Sequence, residues 1–240
     1  MVVHHANDGV LTVFGLFDGT VGDMASEFMH QNVAAIVLAN ENIKSVLARM
    51  NISKAAVDEE ELQLLESGLR ASFLNLDAAF LSSKICQENE YSSCTGVIGL
   101  LWKNVLTIGH IGDSRACLGS VDEQGSPYAE WLTFDHKPNQ TKEKERIVGE
   151  SYRTLFTEYR FFQMENFVAS GGQVVYLHGD KPFLRGGDFF QRHSLGHHPK
   201  QLNYSRAFGG KGLKKYGLIA GKMVPDSMTL IMFKYLWSRP

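Results

Sequence analysis

The residues of this chain best suited to chemistry are carboxylates set beside glycine. In Phe14-Gly15-Leu16-Phe17-Asp18-Gly19 an acid closes an apolar run. A carboxylate at a strand end can hold a hard divalent cation, and the following glycine lets the backbone turn so that its own carbonyl faces the same ion. Taken alone, Asp-Gly is also an ordinary turn. A second group is Gly109-His110-Ile111-Gly112-Asp113-Ser114-Arg115-Ala116. Either the Asp113 carboxylate points toward a site, or this is a bulge with a local Asp113–Arg115 ion pair. Leu132-Thr133-Phe134-Asp135-His136-Lys137-Pro138, then Glu143 to Ile147, and finally Tyr204-Ser205-Arg206-Ala207-Phe208-Gly209 complete the polar motifs.

Other constellations carry less. Gly209-Gly210-Lys211-Gly212 lacks the Gly-Lys-Ser/Thr of a phosphate-binding loop. His193, His197 and His198 lack the further ligands and ordered frame of a metal site, and read as exposed loop histidines. No Ser-His-Asp or Cys-His grouping has a supporting motif. The three cysteines (Cys86, Cys94, Cys117) are too few and scattered for a disulfide framework or a four-thiolate zinc site, and read as reduced thiols.

The elements that must position these acids are legible in the periodicity. Leu11 to Phe17 is a buried strand stopped by Asp18-Gly19. Met24, Ala25, Phe28, Met29, Asn32, Val33 and Ile36 repeat at helical spacing. Asp58 caps a second helix whose stripe is Leu62, Leu65, Leu69, Phe73, Leu76 and Phe80. Val97–Trp102 and Val105–Ile111 form a hairpin around Lys103-Asn104, and Ala116 to Leu118 continues the second strand after a kink at Asp113. Thr141 to Arg146 is a short polar helix, Gln173 to Leu177 a strand, and 181–200 an irregular surface loop. Asn203 to Phe208 is strand-like, and Leu230 to Trp237 is a closing apolar run. Early helices and later strands favour an α+β domain over alternating βαβ units.

Taken together and in this order, the motifs resemble the metal-dependent serine/threonine protein phosphatases of type 2C. That family carries a strand ending in D-G-H-G-G, then a T-A-like hairpin strand, G-D-S-R-A, D-H-K-P, E-x-x-R-I, a G-G-x-V strand and S-R-A-F-G-D. Here they stand as Asp18-Gly19, Thr95-Gly96, Gly112 to Ala116, Asp135 to Pro138, Glu143 to Ile147, Gly171-Gly172 with Val174, and Ser205 to Gly209. The resemblance spans residues 10–225. It implies one α+β domain over 1–240, with two packed antiparallel sheets flanked by antiparallel helices at 21–39 and 60–84. It also implies two-metal hydrolysis with Mg²⁺ or Mn²⁺, on phosphoserine or phosphothreonine in a protein. By that resemblance Asp18 and the Gly19 carbonyl would be metal ligands and Asp113 a ligand for an auxiliary third metal, all converging at one end of the sandwich.

Departures from the pattern bear on activity. The upstream hairpin with its phosphate-gripping arginine has no counterpart, and the first arginine is Arg49. Thr20 stands where the family has a histidine that protonates the leaving group, and no catalytic residue is assigned in its place. Gly210 follows Ser205-Arg206-Ala207-Phe208-Gly209 where the family has aspartate. The late acidic motifs are missing, with Asp226 the one aspartate after position 200. An aromatic-rich insertion occupies 148–169, and 226–240 is a divergent tail. Incomplete sheets with exposed apolar surface are therefore expected.

The balance of 24 Lys and Arg against 26 Asp and Glu, a net charge of −2, gives no basic field for nucleic acid or a membrane surface. Without a signal peptide or an apolar run long enough to span a bilayer, a cytoplasmic or nuclear location is expected. Three functional readings stand: a phosphoprotein phosphatase; a catalytically impaired relative that binds phosphoproteins or partners; and a truncated product of a longer active gene.

Overall fold

The computed structural model describes residues 1–6, 10–49, 57–147, 171–197, 200–221 and 231–233. At its centre lies a six-stranded antiparallel sheet. Its strands are β1 (Val2–Ala6), β2 (Leu11–Thr20), β3 (Ser93–Trp102), β4 (Val105–Ile111), β9 (Phe208–Gly209) and β10 (Ile231–Phe233). They run in the order β1-β2-β3-β4-β10, with β9 paired to the start of β3. Two separate ladders complete the strands: β5 (Cys117–Val121) with β6 (Pro127–Trp131), and β7 (Gln173–Leu177) with β8 (Lys181–Arg185).

One face of the sheet is covered by α1 (Met24–Ala39) and α3 (Glu59–Ser82), which also pack on each other. The start of α3 is fixed by a reciprocal cap. Asp58 Oδ1 accepts from the Glu61 amide at 2.7 Å, and Glu61 Oε2 accepts from the Asp58 amide at 3.2 Å. All six residues of its apolar stripe are buried in the main core, with Ala25, Met29, Val33 and Val37 from α1 and Ile98, Leu100 and Trp102 from β3. Lys103, at φ 53°, makes the hairpin turn between β3 and β4, and its ammonium reaches Glu61 at 3.1 Å. This ties the turn to the first turn of α3.

The opposite face carries two smaller clusters. Val97, Leu106, Ile108 and Leu132 form one, with Phe14, Leu101, Ala116 and Leu118 against it. Ile147, Leu184, Leu202, Tyr204, Ala207, Leu213, Tyr216 and Leu218 form the other. Antiparallel sheets with helices are present as expected, but among the described residues the second layer is two short ladders rather than one sheet.

Several expectations need correction. The first strand does not stop at Asp18-Gly19. It runs through both to Thr20, and the turn follows at Val21 (φ 58°) and Gly22 (φ 93°). A strand does precede it: β1 pairs with β2 from Val2↔Gly15 to Ala6↔Leu11, carrying His4 and His5 and no arginine. Residues 117–121 leave the β4 line for their own ladder, because Gly112 (φ 83°) breaks the strand. The stretch 181–200 contains β8 and a short helix, α6 (Phe189–Ser194). Asn203 to Phe208 is not one strand: it offers an isolated bridge from Arg206 to Ile219 before β9. Two further helices, α2 (Glu41–Ala48) and α4 (Lys84–Glu88), flank α3. The polar helix is present at 141–147 (α5), and α7 (Lys211–Lys214) follows β9. The insertion 148–169 lies outside the described residues, as does the tail apart from 231–233.

Candidate active site

The pleat decides which face each acid shares. Leu11 and Val13 of β2 belong to the helix-side core, whereas Phe14 belongs to the opposite cluster. Alternation therefore places Leu16, Asp18 and Thr20 with Phe14, away from the helices. On β3, Cys94, Ile98 and Leu100 face the helices, so Ser93, Thr95 and Val97 face the other way. Asp18 pairs with Thr95 and Thr20 with Ser93, which groups these four side chains on one face at one end of the sheet. Gly112 abuts Thr95 from the far side: a Cβ on it would lie 2.2 Å from Thr95 Cγ2. Asp113 follows immediately, and its neighbour Ser114 bonds to Thr95 Oγ1 at 2.6 Å. Asp18 and Asp113 thus sit at the same end of the sheet, on either side of β3.

Gly19 has a packing reason to be glycine. A Cβ there would come within 2.7 Å of Ser26 Oγ and 3.0 Å of the Gly22 carbonyl, at the entry to α1. The positive backbone angles lie two residues later, so its carbonyl is presented by an extended strand rather than by a turn.

Thr20 meets the first residue of the last polar motif, to which the sequence assigned no role. The buried Tyr204 hydroxyl bonds to Ser93 Oγ at 3.0 Å and to Thr20. Burial pushes its pKa up to about 12, against those hydrogen bonds. Where the family pattern has a titrating histidine, this end of the sheet holds a hydroxyl cluster that stays neutral at physiological pH.

Asp113 is not free. Its Oδ2 is ion-paired with the Lys137 ammonium, both groups being about one quarter exposed. Arg115 turns instead to Asp135, donating Nε at 2.6 Å and Nη2 at 2.8 Å. Of the two readings of this motif, the local Asp113–Arg115 pair is not formed, and two cross-loop pairs stand in its place.

The loop bearing Lys137 is fixed from below. The His136 Nδ1 accepts from the Gly112 amide at 3.1 Å, and its carbonyl accepts from the Ser205 amide at 2.9 Å. His136 stacks on His110, ring centroids 4.6 Å apart, and His110 Nε2 lies 2.6 Å from the Phe134 carbonyl. Beneath them Glu143 accepts from Arg206 and Arg146 and from the Ser205 hydroxyl. Burial alone would raise the Glu143 pKa, but these donors and the two guanidinium charges hold it down at about 2. Most of the polar motifs thus form a buried lattice that fixes one loop and one strand end.

The resemblance implies two divalent ions at this end of the sheet. Mg²⁺ and Mn²⁺ require several oxygen ligands, mainly carboxylate and water. The described residues bring Asp18, the Gly19 carbonyl and a lysine-paired Asp113 to one end of the sheet. Among them no group of three His, Cys, Asp or Glu could hold a metal ion. This set does not fit a two-ion centre. Lys137, Tyr204 and Ser93 were missed as site residues. Lys137 and Tyr204 had a signal, their places in the Asp135–Pro138 and Tyr204–Gly209 motifs; Ser93 meets Tyr204 only through long-range contact that no local pattern encodes.

Comparison with known proteins agrees with this architecture. The family model described as protein phosphatase 2C matches residues 5–230. The protein phosphatase 2C homolog 2 of Aspergillus fumigatus is 34% identical over 140 residues, which is 58% of this chain and 27% of that relative. Protein phosphatase 2C 1 of Paramecium tetraurelia is 27% identical over 147 residues, 57% of this chain and 42% of that relative. The crystal structure of serine-threonine phosphatase 2C from Toxoplasma gondii superposes with a TM-score of 0.76 at 35% identity, covering 95% of this chain and 65% of that one. The chain thus spans 27–42% of these two curated relatives' lengths. With the ordered motifs, the sheet-and-helix architecture and a family match across nearly its whole length, the chain belongs to the protein phosphatase 2C family.

Proposed function

We propose that this chain is a serine/threonine protein phosphatase-like domain whose substrates or partners are phosphorylated proteins, and whose own hydrolytic step is impaired. Family membership supports the substrate class. One observation supports the impairment: at the end of the sheet where the acids gather, Asp113 is neutralised by Lys137, leaving Asp18 as the carboxylate without an ion pair among the described residues. A phosphate dianion arriving there would meet uncompensated negative charge.

The other contributions point the same way. Thr20 and Tyr204 present hydroxyls that hold their protons too tightly to match a group titrating near neutral pH, which weakens general-acid help of roughly a hundredfold or more. These deficits act on different steps and should compound. The chain would then serve by binding a phosphoprotein or a regulatory partner.

The test is hydrolysis of a phosphothreonine peptide with Mn²⁺ in the millimolar range, comparing the chain with its Asp18→Ala variant. Turnover at or near background in both is expected. Robust metal-dependent turnover abolished by Asp18→Ala would show that the site is complete and the impairment unreal.

A further inference from the structure

We propose that Lys137 is the resident cation of Asp113: its ammonium takes the place of a divalent ion at that carboxylate and excludes one. The inference rests on the reading that Asp18, Gly19 and Asp113 mark the site, and it deepens that reading by naming what occupies its Asp113 side.

Placement comes first. Lys137 is not a surface side chain that happens to swing near an acid. Its loop is pinned by the His136 ring and carbonyl, by the Pro138 that follows, and by the Gln140 amide bonding to the Lys137 carbonyl at 3.1 Å. The Ser205 amide that grips His136 is fixed in turn through its hydroxyl on Glu143. The acid is equally fixed. Gly112 is pressed against Thr95, and the Ser114 hydroxyl bonds to that same threonine. The backbones that carry the two side chains are thus both held by the buried lattice.

Charge comes second. Both side chains are about one quarter exposed, so the pair is partly withdrawn from water. A divalent ion bound to Asp113 would lie beside the ammonium, and like charges within ~4–6 Å cost the equivalent of roughly 1–3 pKa units. Arg115, the other cation of the motif, is committed to Asp135 and leaves Asp113 to Lys137. In electrostatic terms the site is already loaded on the Asp113 side with a monovalent cation.

The experiment is Mn²⁺ titration of the purified full chain without substrate, read by isothermal calorimetry and by the electron paramagnetic resonance signal of free Mn²⁺. Four proteins are compared: the chain, Asp113→Asn, Lys137→Met and the double variant. The wild type and Asp113→Asn should bind Mn²⁺ alike, within about twofold. Lys137→Met should bind about tenfold or more tightly, or gain a site, and the double variant should lose that gain. A fall in wild-type affinity on Asp113→Asn would overturn the proposal, since it would mean that Asp113 already ligates metal. So would Lys137→Met binding no better than wild type. Should Lys137→Met fail to fold, the Asp113→Asn comparison decides alone. Because no hydrolysis is read, the outcome for Lys137 is the same whether the chain is active or inert.

Discussion

At the residue scale, the polar motifs that make the family recognisable are mostly structural, and they leave a pH signature. Burial, aided by the nearby Arg206 charge, holds His136 at a pKa of about 3. His110 is also below the usual histidine range, by burial first, although its bond to the Phe134 carbonyl opposes this. In the unfolded chain both would take a proton near pH 6.5. Below that pH the unfolded state binds protons that the folded state refuses, so stability falls as pH drops from about 6.5 toward 3. Each histidine contributes at most about 1.4 kcal/mol per pH unit. Glu143 acts in a lower window. Its stability contribution is present above about 4.5 and fades only as pH falls toward 2. Urea unfolding at pH 7.5, 6.5 and 5.5 should therefore show a falling midpoint, and His136→Gln should flatten the slope by about half. Equal midpoints at 7.5 and 5.5 would sink this account. Such roles are hard to see in a sequence. Asp135-His136-Lys137-Pro138 is visible as a motif, but nothing in it says that the histidine is a buried brace, the aspartate an arginine clamp and the lysine the partner of Asp113.

At the scale of elements, legibility tracked how much of the signal is local. The α3 stripe was readable because six apolar residues at helical spacing leave one face to bury, and every one of them is in the core. The cap was readable because Asp58 and Glu61 stand three apart, as a reciprocal cap requires. Asp58→Ala should cost about 1 kcal/mol and lower the thermal midpoint, while Asp58→Asn, which can still accept the Glu61 amide, should cost clearly less. If alanine and asparagine behave alike, the cap bond contributes little. Elements held by distant partners were not readable. β1 is short and carries two histidines, so only its pairing with β2 reveals it. β6 opens with Pro127 and is exposed along its length, and neither feature announces a strand. The end of β2 was misplaced for a related reason. Asp18-Gly19 looks like a stop locally, but Thr95 and Cys94 continue the ladder past it. The same extension carries Thr20 to Ser93 and Tyr204, the part of the site that was missed.

For the whole molecule, stability should be distributed unevenly, because the two layers on the central sheet differ in what they bury. The helix side gathers α1, α2, α3 and one face of the sheet into a single cluster. The other side has two smaller clusters, and the β5–β6 ladder stands largely clear of both. Val121 is 64% exposed, Trp131 58% and Tyr128 52%, and Leu118 alone of the two strands packs against a cluster. A two-stranded ribbon with little apolar cover is marginal in water. Its attachments are few: the Leu132 amide to the Ala116 carbonyl at 2.9 Å, the Ala116 amide to Thr133 Oγ1 at 2.9 Å, and the Arg115 side chain, whose guanidinium carbon lies 5.5 Å from the Trp131 ring centre. Opening this ribbon would expose hardly any new apolar surface, whereas opening β3 would breach the main core. Amides of 117–131 should therefore exchange with deuterium at least about a hundredfold faster than those of 93–102, since local opening free energies scale with what opening exposes. The base of the ribbon, from Gly112 through Asp113 to Arg115, should exchange at an intermediate rate, because the Gly112 amide is bonded to His136 and the Lys137 loop depends on it. Mass spectrometry of peptic fragments over a range of exchange times would measure all three segments at once. Protection of 117–131 equal to that of 93–102 would mean that the exposed face of the ribbon is covered in solution, and the uneven division of stability would then be wrong.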